Sequence, residues 1–279
     1  MNIVGVDVGC TKMHLTAKVN GAYVDRRART GLDCKVEHIK QEIDAFTADL
    51  PYEIDGIGIA VPGLVDGDSV VKYSDVHNLN SVTVEYFTEG KVAGRLINDV
   101  RAATWAEIAN YADNQTMAVI MCGTGIAVGL ATNGEIHLGG SGYAGELGYC
   151  ILSEIDGKPQ TVDDLAGGAG ILRRAGCDVG ELLDRIESGQ PDARQLIRNA
   201  GRYFGYTLTN IMHLYNPDII VVGGSTSTYD GYMEEALATA EKNTLKDIFD
   251  SCQITRAKDN KRIVALGAIA FTARKLADR

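Results

Sequence analysis

Asn98 and Asp99 stand where a short apolar run, Leu96-Ile97, meets a segment rich in helix formers. Ala102, Ala103, Ala106 and Ala109 recur there at helical spacing. The pattern predicts a strand whose carboxyl end delivers Asn98 and Asp99 to the start of a helix. Ligand crevices of open α/β sheets lie outside such strand ends, and a carboxylate held there can act as a base. Asp is also a preferred N-cap residue. On this stretch alone, capping is the better-supported role.

Two glycine-threonine turns offer a second chemistry. Asp7-Val8-Gly9-Cys10-Thr11-Lys12 follows the apolar strand Ile3–Val6. Glycine and threonine let main-chain N–H groups and a hydroxyl approach phosphate oxygens. Asp7 can hold a magnesium ion through water. Alone, the motif is equally an ordinary hairpin with a polar tip. Further along, Thr116–Met121 reads as a strand, followed by Cys122-Gly123-Thr124-Gly125 and a second strand, Ile126–Ala131. Asn20-Gly21 and Asn133-Gly134 mark hairpin turns that lead into third strands, Ala22–Arg26 and Glu135–Leu138. The same plan thus occurs twice: strand, Gly/Thr turn, strand, Asn-Gly turn, strand. A long-period repeat of this kind predicts two related domains whose turns grip a polyphosphate from both sides of a cleft. Gly223-Gly224 ends the apolar strand Ile219–Val222. A flat ring can pack on that bare backbone, and a tight strand-to-helix turn explains it as well. Gly140-Ser141-Gly142-Tyr143-Ala144-Gly145 fits a dinucleotide fingerprint, but no crossover helix follows, so the fingerprint is set aside. The loop serves better to bring Glu146 to a ligand.

The remaining elements must position these groups. Apolar spacing predicts helices over 35–50, 179–187, 191–213, 232–244 and 267–276, and a buried strand over 54–61 ending in Val61-Pro62-Gly63. A short strand is expected at Arg262–Val264, a loop over 151–161, and a loop carrying His77-Asn78-Leu79. In the 279 residues the net charge of −10 argues against a nucleic-acid backbone as partner. The six cysteines show no zinc-ligand spacing and no apolar run reaches membrane-span length, so a cytoplasmic protein with reduced thiols is expected.

Together these residues resemble the ROK family of sugar kinases and related repressors, within the actin and hexokinase fold. The resemblance implies an α/β, two-domain actin-like ATPase (ribonuclease H-like) fold with duplicated mixed sheets flanked by helices. It places a small domain at 1–113 plus 266–279 and a larger one at 114–265. Asp7, Gly9, Thr11 and Lys12 match the family's first phosphate motif, and Gly123, Thr124 and Gly125 the second. Gly223 and Gly224 match its adenosine motif, and Asp99 its catalytic base. Gly63, Asn78, Asn98, Asp99 and Glu146 fall at sugar-binding positions. The implied cofactors are ATP and Mg²⁺, and the expected partners a small-molecule sugar and a second copy of the chain, with no membrane. His77-Asn78-Leu79 and Trp105-Ala106-Glu107 are most similar to N-acetylmannosamine kinases.

The departures lie in the sugar half. Tyr149 stands where the family has a zinc-binding, sugar-touching histidine, and the family's cysteine-rich zinc segment is replaced by a shorter polar stretch. Asp163 takes the place of a sugar-binding Glu. No zinc site is therefore expected, with Tyr149 and Asp163 as altered sugar contacts. The resemblance implies that Asp99 takes the proton of a sugar hydroxyl attacking the γ-phosphate of ATP, with domain closure excluding water. The alternative is a non-catalytic sugar-binding regulator. The family's repressors carry an N-terminal helix-turn-helix, and a first strand beginning at Asn2 leaves no room for one here. A nicotinamide oxidoreductase rests only on the fingerprint set aside above.

Overall fold

The computed structural model describes residues 1–112 and 114–278. The chain divides into two compact units, Met1–Tyr111 with Lys261–Arg279 and Ala112–Asn260. The expected boundary at residue 113 lies outside the described residues. Each unit has its own hydrophobic core.

In the first unit β1 (Ile3–Val8), β2 (Lys12–Val19) and β3 (Ala22–Arg29) form an antiparallel meander. Helix α1 (Val36–Ala48) turns Ile39, Ile43 and Phe46 into the core. At helical spacing these make one apolar stripe, each residue contributing roughly 1.5–3 kcal/mol. Strand β4 (Gly56–Val61) is buried along its whole length. A small hairpin, β5 (Leu64–Asp66) and β6 (Val70–Tyr73), precedes a 3-10 turn at His77–Leu79 and α2 (Val84–Thr88). Strand β7 (Ala93–Asn98) then runs straight into α3 (Asp99–Ile108). The sheet order is β3-β2-β1-β4-β7, with β1, β4 and β7 parallel.

The second unit repeats that plan. Strands β8 (Thr116–Cys122), β9 (Ile126–Thr132) and β10 (Glu135–Ile136) form the meander. A hairpin follows, β11 (Ile151–Ile155) and β12 (Lys158–Thr161), then helices α4 (Val162–Ala166), α5 (Gly168–Ala175), α6 (Val179–Glu187) and α7 (Pro191–Tyr215). Strand β13 (Ile219–Gly223), helices α8 (Tyr232–Asn243) and α9 (Lys246–Ser251), and strand β14 (Gln253–Arg256) complete it. The sheet order is β10-β9-β8-β13-β14, with β8, β13 and β14 parallel. The duplication expected from the two Gly/Thr turns is therefore a duplication of topology.

The chain then returns to the first unit as α10 (Ile263–Ala277). At three glycines its backbone lies directly against that of its neighbours. A Cβ on Gly5 would lie 2.1 Å from the Ala265 carbonyl oxygen, and one on Gly58 2.2 Å from that of Ala268. Gly267 likewise meets the Ala102 carbonyl of α3. Glycine is needed there because only a bare backbone lets α10 and its neighbours approach so closely.

Three expectations fail locally. The stretch 151–161 is a hairpin, turned by Asp156-Gly157 with both residues at positive φ. Its polar composition and Pro159 hid a turn signal that was present. Ile263-Val264 begin α10 and do not form a strand. Their β-branched preference yields to the apolar face that follows, as tertiary packing overrides propensity. His77-Asn78-Leu79 forms a 3-10 turn in place of a loop.

Candidate active site

In the first unit, register brings the candidate residues to one end of the parallel strands. Asp7 on β1 pairs with Ala60 on β4, and Val61 pairs with Asn98 on β7. Three strand ends thus lie side by side where α/β sheets hold ligands.

The junction of β7 and α3 decides between base and cap. The N-cap of α3 is Asn98: its side-chain oxygen accepts from the Arg101 N–H at 3.0 Å. Its Nδ2 donates to the Gly63 carbonyl at 2.8 Å and to Asp99 Oδ1 at 2.9 Å. Asp99 is the first helical residue, and its Oδ1 also accepts from the Val100 N–H at 2.9 Å. Capping is therefore done by its neighbour, and Asp99 is a carboxylate oriented at a helix N-terminus, where a negative charge is favoured. Gly63 sits at φ +108°, and a Cβ there would meet the Tyr73 carbonyl at 2.2 Å. Asn78 donates through Nδ2 to the Asp33 and Cys34 carbonyls at 3.1 and 3.2 Å, so its amide hydrogens are committed to the loop before α1.

Asp7 carries the clearest electrostatic signature. Its carboxyl is pushed up to about 7, first by burial and then by the charge of Asp99, with Lys12 opposing. Two oxygen donors that repel each other suit a hard divalent cation, so Asp7 fits magnesium.

The two Gly/Thr turns are held in a related way: in each, the first glycine's N–H bonds across the turn and its carbonyl accepts from a distant threonine hydroxyl. Gly9 N–H donates across its turn to the Lys12 carbonyl at 3.0 Å, and Gly123 N–H to the Gly125 carbonyl at 2.9 Å. The Gly9 carbonyl accepts from the Thr30 hydroxyl at 2.6 Å and that of Thr11 from the Thr30 N–H at 3.1 Å. The Gly123 carbonyl accepts from the Thr226 hydroxyl at 2.8 Å and the Gly168 N–H at 3.0 Å, and that of Thr124 from the Ala169 N–H at 2.9 Å. Among the described residues, the N–H groups of Cys10, Thr11, Thr124 and Gly125 have no partner. Each turn thus presents adjacent open donors, a concavity suited to anions. The Thr11 and Thr124 side chains are exposed.

Gly223-Gly224 ends β13, whose Gly223 pairs with Met121 at the end of β8. Gly224 has φ +91° and lies against the Cys122 carbonyl, where a Cβ would be 2.2 Å away. Its N–H donates to Asn260 Oδ1 at 2.7 Å. Glu146 and Tyr149 are both exposed; Glu146 precedes the turn Leu147–Tyr149 and Tyr149 ends it. Asp163 is placed differently: its Oδ1 accepts from the Ile126 N–H at 2.6 Å, directly after the second turn. A Cβ on Gly148 would lie 2.4 Å from that oxygen. Burial pushes the Asp163 carboxyl up, while the Ile126 bond lowers it.

Sequence reasoning missed Thr30, Thr226 and Asn260. Their bonds reach 21, 103 and 36 residues along the chain. No local pattern encodes them.

One sheet topology built twice, each copy ending its first strand in a Gly/Thr turn, defines an actin-like ATPase fold. The chain belongs to the ROK family, whose model matches residues 3–275. It is 27% identical over 255 residues to an N-acetylmannosamine kinase of Escherichia fergusonii, covering 84% of this chain and 86% of the relative. Among solved structures it is similar to the ROK hexokinase from Thermus thermophilus, at 22% identity and TM-score 0.80 over 100% of both chains. It is also similar to a ROK family glucokinase from Streptomyces griseus in complex with glucose and AMPPNP. That match has 19% identity and TM-score 0.83, and covers 98% of this chain and 100% of the other.

Proposed function

We propose that this chain is an ATP-dependent sugar kinase that phosphorylates a hydroxyl of a hexose or N-acyl hexosamine, with Asp99 as the base. The observation that carries this reading is the division of labour at the β7–α3 junction. Asn98 is the N-cap, so Asp99 is not needed in that position, and Asp99 contributes only one oxygen, Oδ1, to the first-turn Val100 N–H. The Asp99 carboxylate takes the proton of the sugar hydroxyl as its oxygen attacks the γ-phosphate. The open N–H groups of Cys10, Thr11, Thr124 and Gly125 bind phosphate oxygens and offset the charge that develops on them. Asp7 holds magnesium, which when bound neutralises phosphate charge. Gly223 and Gly224 receive the adenosine. Gly63, Asn78, Asn98, Glu146 and Tyr149 are the proposed sugar contacts, Asn78 through its side-chain oxygen because its amide hydrogens are held by the Asp33 and Cys34 carbonyls. N-acetylmannosamine is the first acceptor to test, given the relative from Escherichia fergusonii. The proposal includes a homodimer in the cytoplasm, read by sedimentation velocity.

The deciding experiment is ADP release from Mg-ATP across hexoses and N-acyl hexosamines. Sugar-stimulated release is expected. Sugar binding without release would instead make the chain a sensor. Asp99→Asn should keep the fold and AMPPNP affinity and lower kcat about 10²–10⁴-fold, the usual contribution of a positioned base. A variant that keeps most of its kcat removes Asp99 from the mechanism.

A further inference from the structure

The wiring of the two turns carries a second assignment, which rests on the kinase reading. A peptide unit is planar and trans, so its C=O and the next residue's N–H point in opposite directions. Fixing a carbonyl from behind therefore aims the following N–H forward. The Gly9 carbonyl belongs to the same peptide unit as the Cys10 N–H, and the Gly123 carbonyl to that of Thr124. Both of these N–H groups are open. Both carbonyls are held by a threonine hydroxyl from a distant segment: Thr30, just after β3, and Thr226, in the 3-10 turn after β13. Thr226 is buried and Thr30 partly so.

We propose that Thr30 and Thr226 are positioning residues for ATP: each hydroxyl pins the first glycine of its turn so that the next N–H meets a phosphate oxygen. Neither threonine touches the nucleotide. The rest of the wiring differs between the units. In the second, Gly168 and Ala169 at the start of α5 supply further N–H donors to the turn. In the first, Thr30 itself gives both its hydroxyl and its N–H. Among the described residues the Gly9 carbonyl has no donor besides the Thr30 hydroxyl, whereas the Gly123 carbonyl also accepts from the Gly168 N–H, so the first turn depends more heavily on its threonine hydroxyl. A hydroxyl donating to a carbonyl also polarises that peptide, which strengthens its N–H as a donor.

The test uses the full chain and isosteric changes. Thr30→Val and Thr226→Val remove one hydroxyl each and keep the branched shape. Thr30→Ser and Thr226→Ser restore the hydroxyl. Calorimetry with AMPPNP and Mg²⁺ should show about 3–10-fold weaker binding for each valine variant, the order of one hydrogen bond's net worth. The loss should be larger at Thr30, and serine should recover most of it. Adenosine carries no phosphate, so its affinity should stay unchanged in all four variants. Unchanged AMPPNP affinity in the valine variants overturns the assignment, and so does an equal loss for adenosine, which would mark a general structural defect. If one valine variant fails to fold, the valine-to-serine comparison at the other turn decides. Failure of the wild-type chain to bind AMPPNP would instead remove the kinase reading itself, which separates the two failures.

Discussion

Replacing Asp7 by Asn should stabilise the protein while abolishing its proposed reaction. The Asp7 carboxyl is raised from 3.8 to about 7 by burial and by Asp99. A folded chain with such a group holds a proton that the unfolded chain releases between pH ~4 and ~7. Stability therefore falls as pH rises through that window and is flat above it. The rise corresponds to at most about 4 kcal/mol, at ~1.4 kcal/mol for each pKa unit. Asp7 keeps partial contact with solvent, and screening reduces the figure to about 2 kcal/mol. Asn has the same shape and cannot ionise. In EDTA at pH 8, Asp7→Asn should melt roughly 4–8 °C above wild type. At pH 5 roughly a third of that gap should remain, because most of the folded wild-type chain is then protonated. Thermal melts followed by circular dichroism at both pH values give the comparison, and the difference between the two proteins isolates this one carboxyl. A gap of equal size at both pH values, or a less stable variant at pH 8, refutes the reasoning. The same variant should lose sugar-dependent ADP release, the trade between stability and activity expected of a functional carboxylate.

Other outcomes follow from the same geometry. Leu at Thr11 or at Thr124 should weaken AMPPNP binding without unfolding the chain, and calorimetry showing unchanged affinity in both variants would sink the use of both turns. Arg262 donates to both Asp25 oxygens, at 2.9 Å through Nε and 2.7 Å through Nη2, and holds that carboxyl far below the usual range. The stabilisation is complete above pH ~4 and fades as pH falls further. Arg262→Ala should therefore cost about 2 kcal/mol at pH 7 and show a shallower acid loss in melts below pH 4. Activity should survive strong chelation once Mg²⁺ is restored, and metal analysis finding near-stoichiometric zinc would overturn that expectation.

The sequence was most readable where periodicity is long or repeated. Ile39, Ile43 and Phe46 reveal α1, and Ile197, Phe204, Leu208 and Ile211 reveal α7, because one face of each helix is apolar. The paired meanders disclosed the duplication. The edge elements were hidden: α9 buries no residue and β14 is partly exposed along its length, so neither leaves an apolar signature. At the candidate site the residue types were visible but not their alliances. Asn98 and Asp99 are adjacent letters with different tasks, a distinction set by which side chain reaches Arg101 N–H. Asp163 looked like a sugar contact, and in the fold its carboxylate bonds to Ile126, 37 positions away.

The return of α10 to the first unit fixes an order of events during synthesis. The second unit, Ala112–Asn260, is continuous in the chain and can finish its own core as soon as it leaves the ribosome. The first unit cannot. Gly5 and Gly58 remain a bare strip of strand backbone until residues 263–277 arrive to cover them. At about 5–20 residues per second, the half that begins translation therefore waits many seconds for its closing helix. Throughout that interval Asp7 and Asp99 lie in an unsealed half, exposed to chaperones and proteases. A chain truncated after Asn260 would have a finished second unit and an open first one, a product recognisable by selective digestion of its N-terminal segment.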